Sequence, residues 1–160
     1  MATYAELLQN LVAAGEAALL RDGIEPLEGV RGYPVGTLPW ECPGLFAWVT
    51  AVTPRQPLTS SPVPGVGKGC TTVPGVTMNL TMLRCIIETF PATDYELTSP
   101  EGLRTANDLQ ALSLELIFRQ GAGTLFPGAD CAAVAITQVS VQRQGGMVGI
   151  TATVTVSGTP

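Results

Sequence analysis

The chain has 160 residues, 46% of them hydrophobic, which is enough material for one domain with a buried core. Its net charge is −5, and this acidic balance disfavours a protein that binds nucleic-acid phosphates through clustered Lys and Arg. There is no histidine, which removes the commonest general base, the Ser-His and Cys-His nucleophile pairs and most zinc sites. We therefore predict a protein that is not an enzyme, with no catalytic residues, no cofactor and no metal site.

Charged residues make up only 13% of the chain, against about 25% in soluble domains generally. Two interpretations of this weakly polar surface stay open. It is either an ordinary exterior rich in Thr, Ser and Gln, or a surface that other chains cover.

The first half of the chain predicts a helix and a strand separated by long irregular segments. Thr3 and Glu6 have the spacing of a capping box, and apolar residues follow at helical intervals until Gly23. Repeated Gly and Pro predict an irregular connection over 23–43. The apolar and β-branched run from Leu45 to Thr53 predicts a strand. The Pro- and Gly-rich segment 54–74 predicts an extended loop.

The second half predicts a strand, a helix and a hairpin. Apolar and polar residues alternate from Val76 to Ile87, and beyond Leu83 the pattern indicates a bulge or burial of both faces. A helix is predicted to begin at Ser99, with Pro100 in its first position, and to end at Gly121. The last residues, 132–156, predict a hairpin that turns at 144–146 and whose final strand has one apolar and one threonine-lined face.

Together these elements predict a single α+β domain over 1–160. We expect a mainly antiparallel sheet of about four strands with both helices packed on one face, in the order α-β-β-α-β-β.

Other motifs predict little chemistry. Lys68 lies among three glycines, but the glycine spacing of a phosphate-binding loop is absent and Gly69 stands where Ser or Thr is needed.

No segment is long and apolar enough to span a bilayer, and no secretory signal opens the chain, so we expect an intracellular origin. For the four cysteines this origin favours reduced, mostly buried thiols over a structural disulfide. They are Cys42, Cys70, Cys85 and Cys131.

Trp and Arg are enriched among interface anchors, which directs attention to a few side chains. For Trp48, in the middle of a strand, we favour core packing. For Arg84 there are two interpretations, a side chain that extends from a strand end to solvent and an ion pair between subunits. The predicted subunit interface consists of Trp40, Arg55, Gln56, Lys68 and Arg84.

Several stretches, taken in order, resemble the tail terminator (tail completion) proteins of long-tailed bacteriophages of actinobacteria. Together with an amphipathic N-terminal helix that precedes them, they are distributed over most of the chain. The stretches are F-A-W-V-T-A-V-T followed by P-R-Q-P, then M-N-L-T-M-L-R-C-I, S-P-E-G-L and G-G-M-V-G-I-T-A-T-V-T-V.

The resemblance implies a virion protein, assembled in the host cytoplasm, that forms a hexameric ring at the head-proximal end of the tail tube. It would contact the major tail tube protein and neck or connector proteins, and DNA would pass through its lumen without sequence-specific binding. No membrane contact is implied. Two alternatives stay open: another head-tail connector, such as a stopper or head-completion protein, and a non-viral binding domain.

Overall fold

The computed structural model describes residues 3–21, 30–36, 44–53, 75–85, 95–127, 133–144 and 146–157. Within these ranges two helices and five strands form an α+β fold, as predicted. The strands form one sheet in the order β1-β2-β3-β5-β4, in which β1 and β2 are parallel and the other neighbours antiparallel. The elements are α1 (Tyr4–Arg21), β1 (Val30–Gly32), β2 (Gly44–Thr53), β3 (Gly75–Cys85), α2 (Tyr95–Gly121), β4 (Ala133–Gln144) and β5 (Met147–Ser157).

The predicted strand number and element order were wrong, because β1 lies inside the segment that we expected to be irregular. The described order is α-β-β-β-α-β-β. Three residues are too few to show an alternating pattern, so β1 has no signal of its own in the sequence. It pairs with the start of β2, and a Cβ at Gly32 would lie only 2.9 Å from Cδ1 of Phe46. Arg31 also donates from Nε to Oε1 of Glu16 in α1 at 2.5 Å.

The capping box of α1 is confirmed. The backbone N–H of Thr3 donates to Oε2 of Glu6 at 2.6 Å, and the backbone N–H of Glu6 donates to Oγ1 of Thr3 at 3.2 Å. These reciprocal bonds satisfy two backbone donors that a helix start otherwise leaves unpaired.

Because the Thr3 bonds favour the charged carboxylate, they lower the pKa of Glu6, the backbone bond more than the side-chain bond. A lowered pKa in the folded state means that the cap stabilises the fold above the ordinary glutamate pKa, and that this contribution is lost as pH falls through the folded-state pKa. Thr3→Ala keeps the backbone N–H but removes the hydroxyl, so we expect it to return the pKa of Glu6 part of the way toward its usual value in an NMR titration of the side-chain carboxyl. Thr50→Ala, remote from α1, is the control. An unchanged Glu6 pKa in Thr3→Ala would show that the hydroxyl of Thr3 does not bond to Glu6 in solution.

Both helices pack on the same face of the sheet, as predicted. Leu7 and Leu11 of α1 and Leu112 and Leu116 of α2 join one buried cluster with the central strands. Burial of this apolar surface is the main favourable term for folding. The strand residues of the cluster that lie on β3 and β5 are Val76, Met78, Leu80, Met82, Ile150, Ala152, Val154 and Val156.

The predicted start of α2 was also wrong. The helix begins at Tyr95, not Ser99, and Pro100 lies inside it. A proline removes the bond to the carbonyl four residues earlier, which here is that of residue 96 near the helix start, so the helix tolerates it. The register of β3 with β5 is unbroken as far as Cys85, so the strand has no bulge there. Leu83 is buried but Cys85, on the same face, is exposed, so burial of both faces of β3 ends at Leu83. Residues 86 and 87, the predicted end of this strand, lie outside the described ranges.

Candidate assembly surfaces

Of the predicted interface residues, only Arg84 lies within the described part of the chain. Trp40, Arg55, Gln56 and Lys68, and the whole of segment 54–74, lie outside it, so their predicted roles stay predictions.

Arg84 lies near the end of β3 and forms a bidentate ion pair with Asp108 of α2. Nε donates to Oδ2, and Nη2 donates to Oδ1 at 3.1 Å. The side chains are 12% and 2% exposed, so the pair is largely shielded from water. The arginine therefore has a carboxylate partner within its own subunit, and its predicted contact with a second subunit stays a prediction.

We did not single out Asp108 from the sequence, although its position carried a signal. It lies four residues before Leu112, on the buried face of α2, where a carboxylate needs a compensating charge. Glu115 repeats this arrangement on the same face. It is buried and accepts a bond from Nε of Arg119, one turn further along the helix, at 2.6 Å.

The opposite side of α2 exposes an apolar stripe. Its large side chains recur at three- and four-residue steps on one face: Leu103 is 69% exposed, Leu114 53%, Ile117 59% and Phe118 57%. Ala106 and Gln110 lie between them on the same face. Among the exposed side chains described for α2, Arg104 alone is charged. We refer to Leu103, Leu114, Ile117 and Phe118 as the α2 stripe, a surface of the type that other chains commonly cover.

On the sheet face turned away from the helices, β3 and β5 carry the polar side chains that the alternation predicted. These side chains form a hydrogen-bonded array of hydroxyl and amide groups. Thr81 Oγ1 lies 2.7 Å from Thr151 Oγ1, and Thr153 Oγ1 donates to Asn79 Oδ1 at 2.9 Å. A third cross-strand pair, Thr77 and Thr155, has its hydroxyl oxygens 3.4 Å apart. We refer to these residues of β3 and β5 as the threonine face.

Beside the threonine face a small apolar cluster covers part of β2 and β3. Phe46, Trp48 and Leu83 are all buried there. The packing role that we favoured for Trp48 is therefore confirmed, although the residue packs on the face away from the helices. A Cβ at Gly149 would lie 2.9 Å from Cδ2 of Leu83, so the glycine leaves room for this cluster.

The expectation of reduced, buried thiols was wrong for Cys85. This residue is exposed at the end of β3 and is disulfide-bonded. Cys42, Cys70 and Cys131 lie outside the described residues. The expectation depended on the redox compartment, which spacing and periodicity do not report.

Comparison with known proteins gives no family assignment: no family model matches the chain, and no curated protein matches it at significant similarity. Within the described ranges no group of three or more acidic or Cys side chains could hold a metal ion. Neither described helix is long and apolar enough to cross a membrane.

Proposed function

We propose that the chain is a structural subunit of a homo-oligomeric assembly, namely the tail terminator ring of a long-tailed phage. The observation that carries the proposal is the α2 stripe. Four large apolar side chains are exposed on one face of a 27-residue helix that has a buried apolar face as well. A helix that is apolar on two sides gains stability when the second side is also covered.

The proposal that the assembly is a ring depends in addition on the resemblance to tail terminators. A closed ring requires heterologous contacts, in which one surface of a subunit binds a different surface of the next. The α2 stripe is one such surface. Its complement would lie elsewhere on the neighbouring subunit, with the predicted interface residues Trp40, Arg55, Gln56 and Lys68 as candidates.

The half-buried members of the threonine face support the passage of DNA, whereas Thr81 is completely buried and cannot line a channel. The groups of this face are hydroxyls and one amide, and they already bond to one another across β3 and β5. A lumen lined by such groups in an acidic subunit offers phosphates no cluster of cations, so DNA can pass without being retained.

Electron microscopy of the purified protein, alone and mixed with tail tubes, tests the proposal. We expect rings that cap tube ends, either preformed or assembled only when tubes are present. Dispersed monomers in both samples would overturn the proposal.

Ile117→Asp, in the middle of the α2 stripe, tests the surface itself. A buried, unpaired carboxylate opposes association, so we expect the protein concentration needed to cap half of the tubes to rise by about tenfold or more. Ala5→Asp adds the same charge at an exposed position of α1 and is the matched control. Equal capping by both variants would show that the α2 stripe is not the ring contact.

A further inference from the structure

The two edges of the sheet differ greatly in length. β1, at one edge, has three residues, whereas β4, at the other, has 12. Long edge strands present a row of unpaired backbone N–H and C=O groups, and proteins usually shorten, charge or cover them. In this sheet the edge formed by β4 is long, contains no proline, and has Arg143 as its only charged residue.

The pairing of β4 with β5 shows which backbone groups face outward. Gln144 and Met147 are separated by two residues and lie directly opposite each other in the hairpin. In such a hairpin Gln144, and every second residue before it, bonds to β5. Val139, Val141 and Arg143 therefore direct their backbone groups to the outer edge.

The first half of β4 is already protected against pairing. Gln120 of α2 donates from Nε2 to the backbone oxygen of Val134 at 2.7 Å, which occupies one outward acceptor. The register then shifts between Ile136 and Gln138, and such an irregularity interrupts a straight edge. No comparable device covers the segment 138–144 among the described residues, and Val141 at its centre is 46% exposed.

We propose that two copies of the chain pair through this open half of β4, antiparallel and centred on Val141. In this register Val141 lies opposite its own copy and Val139 lies opposite Arg143 of the second copy. All three residues have outward backbone groups, so each of these pairs can exchange two hydrogen bonds. The two copies of Arg143 do not face each other, so the register avoids opposed like charges.

A second copy of β4 fits this edge better than the opposite edge of the sheet does. β1 offers only three residues, and Pro34, two residues beyond its end, has no N–H to donate. Pairing of β4 with β4 of a second copy uses the whole segment 138–144. The contact has two-fold symmetry and closes on itself, so it is separate from the ring contact of the α2 stripe and does not depend on the proposed function.

Residue-resolved amide exchange by NMR tests the pairing, because only alternate amides are involved. At high protein concentration we expect the amides of Val139, Val141 and Arg143 to exchange about tenfold or more slowly than in dilute solution. The amides of Ser140 and Gln142 bond to β5 within the chain and serve as internal controls, protected equally at both concentrations. Association that leaves the three outward amides unprotected would overturn the proposal, as would a protein that is monomeric at all concentrations.

Val141→Lys places two lysines opposite each other at the centre of the pair, and we expect it to weaken dimerisation by roughly tenfold or more in sedimentation velocity. Ala135→Lys adds the same charge on β4 outside the paired segment and is the matched control. Ile117→Asp should leave this dimer intact. If it abolished the dimer while Val141→Lys did not, the association would belong to α2 and the β4 proposal would fail.

Discussion

Replacement of Arg84 by Met is expected to lower the free energy of unfolding by about 3–5 kcal/mol, a large share of the roughly 5–15 kcal/mol that holds a domain folded. The carboxylate of Asp108 is 2% exposed and receives both of its donors from Arg84. Without the guanidinium it would be a buried charge with no compensation. Because β3 and α2 meet at this pair, its loss also removes a polar connection between the sheet and the helix layer.

Urea unfolding at neutral pH measures this effect, and two further variants isolate its cause. Glu16→Gln breaks the ion pair between Glu16 and Arg31. Because the side chain of Glu16 is 44% exposed, this substitution should lower the free energy of unfolding by only about 0–1 kcal/mol. Combining Arg84→Met with Asp108→Leu removes both charges and should cost less than Arg84→Met alone, since a buried ion pair can often be replaced by apolar groups. If the double variant were the less stable of the two, the buried charge would not be the cause.

The features that depend on residues close together in the chain could be predicted from the sequence. The capping box of α1, the alternation along β3 and the threonine-lined face of β5 all agree with the structure, because each depends on neighbours close in the chain. β1 could not be predicted, since its pairing partner on β2 begins 14 residues away and its own three residues carry no period. The start of α2 was misplaced because Ser99 and Pro100 form a strong local start signal that the helix overrides.

The candidate surfaces were harder to predict than the fold. In α2, apolar residues occupy both faces in the run from Leu112 to Phe118, and the sequence alone did not separate the face that α1 and the sheet cover from the face that stays exposed. The pairing of Arg84 with Asp108 joins residues 24 positions apart on different elements. Such a contact follows from tertiary packing, which local periodicity does not encode.

Two neighbouring leucines of α2 allow stability and assembly to be separated by the same substitution. Leu112 is completely buried in the core cluster, whereas Leu114, two residues later, is 53% exposed in the α2 stripe. We expect Leu112→Ala to lower the free energy of unfolding by about 2–5 kcal/mol, because it removes buried methyl groups and leaves a cavity. Leu114→Ala should change stability by no more than about 0.5 kcal/mol, as is usual for surface positions.

Assembly should respond in the opposite order once both variants are compared under conditions where they are folded. Leu114→Ala removes apolar area from the α2 stripe, so it should reduce ring formation on tail tubes, while folded Leu112→Ala should retain it. Urea unfolding and the counting of capped tubes by electron microscopy measure the two effects. Normal capping by Leu114→Ala together with a loss for folded Leu112→Ala would mean that assembly depends on the packing of the core rather than on the exposed side of α2.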